Sequence, residues 1–498
     1  MGKKLPIFYN ALLLTGVNLV LRFVSTGFQV YLSGKIGATG IGLLQLVLSV
    51  GGLAMTAAIA GIRTATMYLT AEELGKKRPE NVRWVLSGCI KYSLICSGFV
   101  ALILYFGAHL IATQWIGEPE TVNIVRMYSF FLPVNCLCGV MVGYFMAANR
   151  IGTLSAVEIL EQFCSIGLTV GLLRFWAGGD AVRACASVVL GSGMSACFTL
   201  LCLLYLQKTE NTVSGNRIPI RNRLLKTAVP LALADDLKSG ISTTENLMVP
   251  KRLAMCNKVG NPLAAFGVVC GMVFPILMFP MAVLFGLAEL LIPELARCSA
   301  AGSRQRIHYL AQRSLRIALL YGLLFGGILF VLGDDLCIAL YKNRDAGVHL
   351  RRFAILAPML YCDAITDAMI KGLGQQTASV RYNIITSGLD VLFLFFLLPQ
   401  YGMEGYYYSF LITHIINFIL SVRRLLRITG NLMPVATVLH SALAAVISVF
   451  LSEVLINPVL RGGAYILLFG SLLSLFKVLS IEDIRWIKNL IRKKGSQL

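Results

Sequence analysis

The sequence predicts an all-α integral membrane protein of about fourteen transmembrane helices, with two pseudo-symmetric six-helix bundles around a central cavity and two further helices at the C-terminus. Three observations carry this. Of 498 residues, 57% are hydrophobic and only 14% are charged, and the mean hydropathy of +0.76 is one that soluble domains do not reach. Apolar runs of roughly 20 residues, long enough to cross a bilayer as helices, recur along the whole chain. The chain also aligns with itself. An offset of 225 pairs Gly42 with Gly267, Ala57 with Ala282, Gly61 with Gly286, Ala71 with Ala296, Leu104 with Leu329 and Pro133 with Pro358, with no gap between them.

The expected spans are 6–33, 38–69, 84–109, 122–147, 152–175, 181–206, 224–249, 262–292, 307–332, 349–370, 378–400, 403–422, 433–456 and 463–479. The first follows Lys3 and Lys4, but it is too long for a signal peptide and lacks a small-residue cleavage site, so it is read as an uncleaved helix. Spans two to four fall on spans eight to ten at the repeat offset. An even number of spans per half brings both halves in from the same side, so the repeats are parallel. The expected organisation is an N-terminal bundle at 1–207, a cytoplasmic linker at 208–223 ("KTENTVSGNRIPIRNR"), a C-terminal bundle at 224–430, helices thirteen and fourteen at 431–480 and a basic tail at 481–498.

The formal charge of +20 is accounted for by topology. With the N-terminus inside, the inner side collects Lys76, Lys77, Arg78, Arg150, Arg217, Arg221, Arg223, Arg304, Arg306, Arg423, Arg424, Arg427 and the tail cluster. The outer side keeps fewer, among them Lys35, Arg174, Arg183 and Arg461. This positive-inside bias places both termini in the cytoplasm, and attraction to anionic headgroups replaces any nucleic-acid role. The thirteen cysteines show no CxxC or Cys/His spacing and are read as small buried apolar residues, with no metal site or disulfide framework.

The chemistry lies in ionisable groups at bilayer depth, where a charge costs about 2.5–3.5 kcal/mol and marks a pathway facing protein or water. In the first helix Thr15, Asn18, Arg22, Ser25 and Gln29 step by 3 and 4 and share one face. In the seventh, within "AVPLALADDLKSG", Asp235, Lys238, Ser242 and Glu245 do the same. Pairing of Asp235 with Lys238 within one helix explains neither Arg22 nor the length of the stripes. Glu158, Glu161, Gln162 and Ser165 line the fifth helix, Asp363, Asp367 and Lys371 the tenth, and Asn383, Ser387 and Asp390 the eleventh. Arginine suits phosphate because its planar fork donates two parallel hydrogen bonds, and carboxylates suit a coupling cation. The substrate-binding candidates are Arg22, Asn18, Gln29, Arg63, Lys238 and Glu161. The ion-coupling candidates are Asp235, Asp236, Asn383, Asp390, Asp363 and Asp367, for sodium or a proton, with no other cofactor.

Several stretches resemble the multidrug/oligosaccharidyl-lipid/polysaccharide exporter superfamily, and within it the stage V sporulation protein B group of lipid-linked-precursor flippases. "LRFVSTGFQVYLSGKIGATGIG" is similar to the family's opening segment, with Arg22 at its early arginine. "GIRTATMYLTAEE" resembles its glycine-isoleucine-proline stretch, "LAELLIPELARC" the equivalent stretch of the second half, and "AVEILEQF" the fifth-helix signature ending in Glu161 and Gln162. Arg63 and Tyr68 depart from the group, which has proline and lysine there. The resemblance implies two six-helix bundles forming a V-shaped cavity and a lipid-tail groove made by helices thirteen and fourteen. It also implies cavity cations at Arg22 and Lys238, and a sodium site joining Asp235 or Asp236 to Asn383 or Asp390. It further implies a monomer in a bacterial plasma membrane.

The function expected is a flippase that moves an undecaprenyl-diphosphate-linked oligosaccharide or peptidoglycan precursor from the inner to the outer leaflet, driven by an ion gradient or the membrane potential. The alternative is a cation-coupled multidrug exporter of the same superfamily, which the two extra helices and the first-helix arginine disfavour. An intramembrane enzyme lacks both a catalytic platform in its loops and a candidate base in an outer one. The GxxxxGK loop of an ATP-driven pump is absent from the sequence.

Overall fold

The computed structural model describes residues 5–59, 61–76, 78–208, 221–257, 259–430 and 433–478. Most of the expected linker and the whole basic tail therefore lie outside the described residues. Every regular element among the described residues is helical, as a chain surrounded by lipid requires, because a helix satisfies its own backbone. Among the described residues, ten helices are long and apolar enough to cross a membrane, or up to twelve if each of two bent pairs is one span.

Differences from the expected fourteen have local causes. The second expected span and the latter part of the first lie within one stretch, Leu19–Leu74. Between them α1 (Leu5–Ile59) kinks at Gly37, whose φ of 70° lies in the left-handed region that glycine enters without strain. The seventh, α7 (Arg221–Leu253), is absent from the apolar set because it carries Asp235, Asp236, Lys238 and Glu245.

The two bent pairs are Pro262–Met278 with Met281–Ala300, at 59°, and Arg344–Ala354 with Ala357–Gly372, at 56°. In the first, Pro280 has no N–H to continue the helical ladder. Tyrosines satisfy carbonyls at that break: Tyr361 Oη donates to Leu277 O and Tyr321 Oη to Pro280 O, both at 2.8 Å. This is how a broken helix is kept inside a membrane.

The chain forms two compact units. The first comprises residues 1–271 with 387–406, and the second 272–386 with 407–498. The first unit contains α1, α2 (Ile62–Gly75), α3 (Val82–Leu110), α4 (Val122–Ala147), α5 (Ile151–Leu172), α6 (Ala181–Lys208), α7 and α8 (Pro262–Val268). One of its cores joins Ile62 and Leu69 of α2, Val85 and Leu86 of α3, Tyr144 and Phe145 of α4, Leu154 of α5 and Leu203 of α6. Leu224 and Ala228, at the start of α7, are buried in the same core. Compactness thus places α7 with the first unit, whereas the internal repeat assigns it to the second half. Contacts and repetition are different properties, and the six-helix halves stay an expectation about the latter. On α3 the side chains of Ile95, Phe99, Leu102 and Phe106 are exposed, which in a membrane protein is the face offered to lipid.

The second unit contains α9 (Phe274–Met278), α10 (Met281–Ala300), α11 (Arg304–Tyr341), α12 (Arg344–Ala354), α13 (Ala357–Gly372), α16 (Val435–Ser452) and α17 (Pro458–Leu475). The helices α14 (Gln376–Tyr401) and α15 (Met403–Thr429) contribute to both units. Val331 of α11, Ala444 and Ala445 of α16 and Tyr465, Phe469 and Leu473 of α17 form a core in the second unit. Tyr465 Oη also donates to Leu323 O at 2.8 Å. Ion pairs link these helix ends: Arg461 to Asp335 at 3.2 Å, and Arg351 to both Asp334, at 3.3 Å, and Glu453.

Candidate functional site

In the first unit, α7 is fastened to the part of α1 that follows the Gly37 kink. Thr243 Oγ1 donates to Ser49 O at 3.1 Å and Asn246 Nδ2 to Ser49 Oγ at 2.9 Å. Thr243 and Asn246 flank the stripe position Glu245, so the bonds that join the helices also set how α7 is turned. On α1, Arg22 and Ser25 are exposed, and Gln29 is half-buried and donates to Gly271 O at 3.2 Å. The side chains of Thr15 and Asn18 lie outside what the structure describes.

On α7, Asp235 and Lys238 are exposed. Asp236 is half-buried near Tyr92, and its Oδ1 has no hydrogen-bond partner among the described residues. The partner of Asp390 on α7 is Glu245, whose carboxyl hydrogen-bonds that of Asp390. An ionised carboxylate only accepts hydrogen bonds, so a bond between two carboxyls requires a proton on one of them, and a bound cation is the other way to hold them together. Asp390 is 7% exposed, which leaves water little part in this arrangement. Tyr406 and Cys270 complete the cluster, with Tyr406 Oη 3.9 Å from Cys270 Sγ. Glu245 was legible as the end of the α7 stripe, but the apolar surroundings of Tyr406 and Cys270 in the sequence carried no signal.

A second acidic group in this unit sits on α5. Glu158 lies near Arg63 of α2, and Glu161 lies near Thr199 of α6. Arg63 is exposed, and its Nη2 lies 4.0 Å from Met146 Sδ. Every substrate-binding candidate with a described side chain (Arg22, Gln29, Arg63, Lys238 and Glu161) thus belongs to the first unit.

The remaining ion-coupling candidates belong to the second unit. Asp363 Oδ2 accepts from Asn417 Nδ2 at 2.8 Å and Asp363 also bonds Ser421, while its Oδ1 is buried without a partner. Asn417 Oδ1 accepts in turn from Thr386 Oγ1 at 3.4 Å. Asp367 pairs with Lys371 at 2.6 Å and accepts a hydrogen bond from Ser379. That leaves Asp367 as a salt-bridged group near a helix end and Asp363 as the candidate with spare acceptor capacity. Asn383 donates to Ser379 O, one turn back on its own helix, at 3.1 Å.

One polar cluster had no place in the sequence reading. Arg223, at the start of α7, donates to Glu72 at 2.7 Å and to Glu73 at 2.9 Å, both at the end of α2. Asn81 donates to the other oxygen of buried Glu73 at 3.0 Å, and Lys76 pairs with Glu72 at 2.5 Å. The sequence reading counted the basic residues of the inner side without pairing them. Glu72 and Lys76 stand one turn apart, but the acidic partners of Arg223 lie about 150 residues away in the chain and leave no periodic trace.

Comparison with known proteins agrees with this architecture. The MatE family profile matches residues 15–170. Stage V sporulation protein B of Bacillus subtilis (strain 168) is 22% identical over 416 residues, covering 81% of this chain and 80% of that protein. Among solved structures, the lipid II flippase MurJ in an inward closed conformation aligns with a TM-score of 0.70 at 13% identity, covering 93% of this chain and 98% of MurJ. An inward-facing multidrug resistance MATE family transporter of the MOP superfamily aligns with a TM-score of 0.67 at 15% identity, covering 83% of this chain and 96% of that one. Family profile, relative and fold together agree with the resemblance read from the sequence: this is a multi-pass membrane protein that shares its fold with transporters of the multidrug/oligosaccharidyl-lipid/polysaccharide exporter superfamily.

Proposed function

We propose that this chain is an alternating-access flippase that moves an undecaprenyl-diphosphate-linked oligosaccharide or peptidoglycan precursor from the inner to the outer leaflet of a bacterial plasma membrane. The observation that carries the reading is the pair of polar stripes on α1 and α7, two helices of the first unit that present Arg22, Lys238 and Asp235 with exposed side chains. Such charges are retained where a polar group must pass. Arg22 offers a planar donor fork to a diphosphate, with Lys238 and Arg63 as further cations and Gln29 and Glu161 as partners for sugar hydroxyls. The prenyl tail stays in lipid, so only the head needs a polar route. The chain's likeness to stage V sporulation protein B and to the lipid II flippase supports this choice of cargo.

Energy enters through the acids. The Glu245–Asp390 pair holds a proton or sodium ion, and exchange of that ion drives the cycle, with Asp363 as a second carboxyl in the other unit. The protein works as a monomer with both termini in the cytoplasm and needs no other cofactor. A multidrug exporter is the second reading, favoured by the number of buried acids and by the fold shared with MATE transporters. Depletion and overexpression in cells, followed by an assay of outer-leaflet precursor, tests the proposal. The precursor pool follows the protein level if the proposal holds, and a constant pool with altered drug resistance selects the second reading.

A further inference from the structure

A pocket of about 550 Å³ lies in the first unit beside the Gly37 kink within α1. Its walls are the first segment of α1, the C-terminal end of α5 with the π-helical turn Leu173–Ala177, and the first turn of α6. Tyr31, Lys35, Arg174, Gly178 and Gly179 line it, so it holds two cations and no acid. The acid nearest in the chain, Asp180, is engaged by Arg183 at 3.6 Å, and neither Lys35 nor Arg174 has an ion pair among the described residues.

The pocket is separate from the stripe on α1. Lys35 follows Gln29 by six residues, which at 3.6 residues per turn is about 240° around the helix. Tyr31 and Lys35, one turn apart, therefore face α5 and α6 and lie on another side of α1 from Arg22 and Gln29. The floor is kept open by backbone choice. Gly178 and Gly179 have φ of 54° and 88°, and a Cβ on either would meet nothing within 4 Å, so their glycines serve the turn and leave the space clear. The π-helical turn that supplies Arg174 also carries exposed aromatics: Phe175 is 87% exposed and Trp176 41%. Aromatic residues in this setting mark the depth at which lipid headgroups lie.

We propose that this pocket binds the phosphate of a membrane phospholipid, with the Arg174 guanidinium as a forked donor, the Lys35 ammonium as a point charge and the Tyr31 hydroxyl beside them. Exposed Phe175 and Trp176, next to Arg174 on the same turn, set that turn at headgroup depth, which makes a headgroup phosphate the occupant in preference to a soluble one. The bound lipid fixes the α1 kink against α5 and α6 from the lipid side. This inference stands apart from the cargo proposed above.

The test is native mass spectrometry of the purified full chain with phosphatidylglycerol and with diacylglycerol of the same chains. Wild type retains phosphatidylglycerol in preference to diacylglycerol, and K35Q/R174Q binds it about tenfold more weakly or worse, the scale of losing charge-assisted hydrogen bonds. R126Q, which removes an arginine of α4 outside the pocket, keeps the wild-type preference. K35R/R174K keeps most of it and guards against a folding defect in the glutamine variant. Equal retention by wild type and K35Q/R174Q overturns the proposal. So does displacement of the lipid by millimolar inorganic phosphate, which makes the ligand a soluble anion.

Discussion

Gly42 and Gly267, equivalent positions in the internal repeat, meet backbone to backbone within the first unit. A Cβ on Gly267 would lie 2.0 Å from Ala38 O and 2.7 Å from Gly42 N, and a Cβ on Gly42 would lie 2.2 Å from Leu263 O. No side chain can swing away from such a contact, because the opposing atoms are main chain. Small residues bring membrane helices this close, and packing at close approach replaces the hydrophobic drive that lipid does not supply.

Gly267→Ala is therefore expected to destabilise the protein by about 1–3 kcal/mol, the usual range for overpacking. Gly98→Ala, whose Cβ meets nothing within 4 Å, is the matched control and leaves the melting temperature unchanged or slightly raised. Thermal unfolding in detergent compares the two. Equal melting temperatures would mean that α1 and α8 are not packed in this way.

The Arg223 latch predicts a graded loss. Arg223→Ala leaves buried Glu73 with Asn81 alone and removes two charge-assisted hydrogen bonds, a cost of about 1.5–3 kcal/mol. Arg223→Lys recovers only part of it, since an ammonium does not reproduce the fork that spans two carboxylates. High salt narrows the gap between the variants, because Arg223 is 35% exposed and its attraction is partly screened. A melting-temperature series across salt concentration checks this.

Glu245 and Asp390 separate coupling from folding. Glu245→Gln keeps a donor for Asp390 and the same shape, so it folds and holds its melting temperature but loses the dependence of transport on an ion gradient. Glu245→Leu loses both the bond and the coupling. Transport assayed in liposomes with sodium and proton gradients imposed separately reads this out, and a Glu245→Gln protein that still follows the gradient removes the pair from the coupling mechanism.

The second unit offers a simpler packing test. Tyr465→Phe removes the hydroxyl that reaches Leu323 O and leaves the ring in its core, for a loss of about 1 kcal/mol. The expected readout is a small drop in melting temperature with no change in transport. A large transport defect would mean that α17 does more than pack.

What was legible in the sequence was what repeats at short range. Helical stripes follow from 3.6-residue spacing, so Arg22, Gln29, Asp235, Lys238 and Glu245 could be placed on faces of α1 and α7 without coordinates. The Gly37 kink falls in the gap between the first two expected spans. Illegible were the partners chosen across the chain. Asp390 meets Glu245 on α7, while Asp236 lies near Tyr92, because helix rotation and depth are set by contacts such as Asn246 with Ser49 that no local pattern encodes. The placement of α7 has the same origin. Repetition assigns it to the second half, but burial of Leu224 and Ala228 and the Arg223 ion pairs attach it to the first unit. Apolar residues such as Cys270 that sit beside a carboxyl pair are indistinguishable in sequence from ordinary core.

The most direct test of the central claim is transbilayer movement of a fluorescent prenyl-diphosphate glycan in liposomes containing the purified protein, with wild type, Arg22→Ala and Asp235→Asn compared. Wild type is expected to accelerate movement, Arg22→Ala to abolish it at an unchanged melting temperature, and Asp235→Asn to weaken it. Failure of wild type to move the lipid across several headgroups and ion gradients would contradict the account.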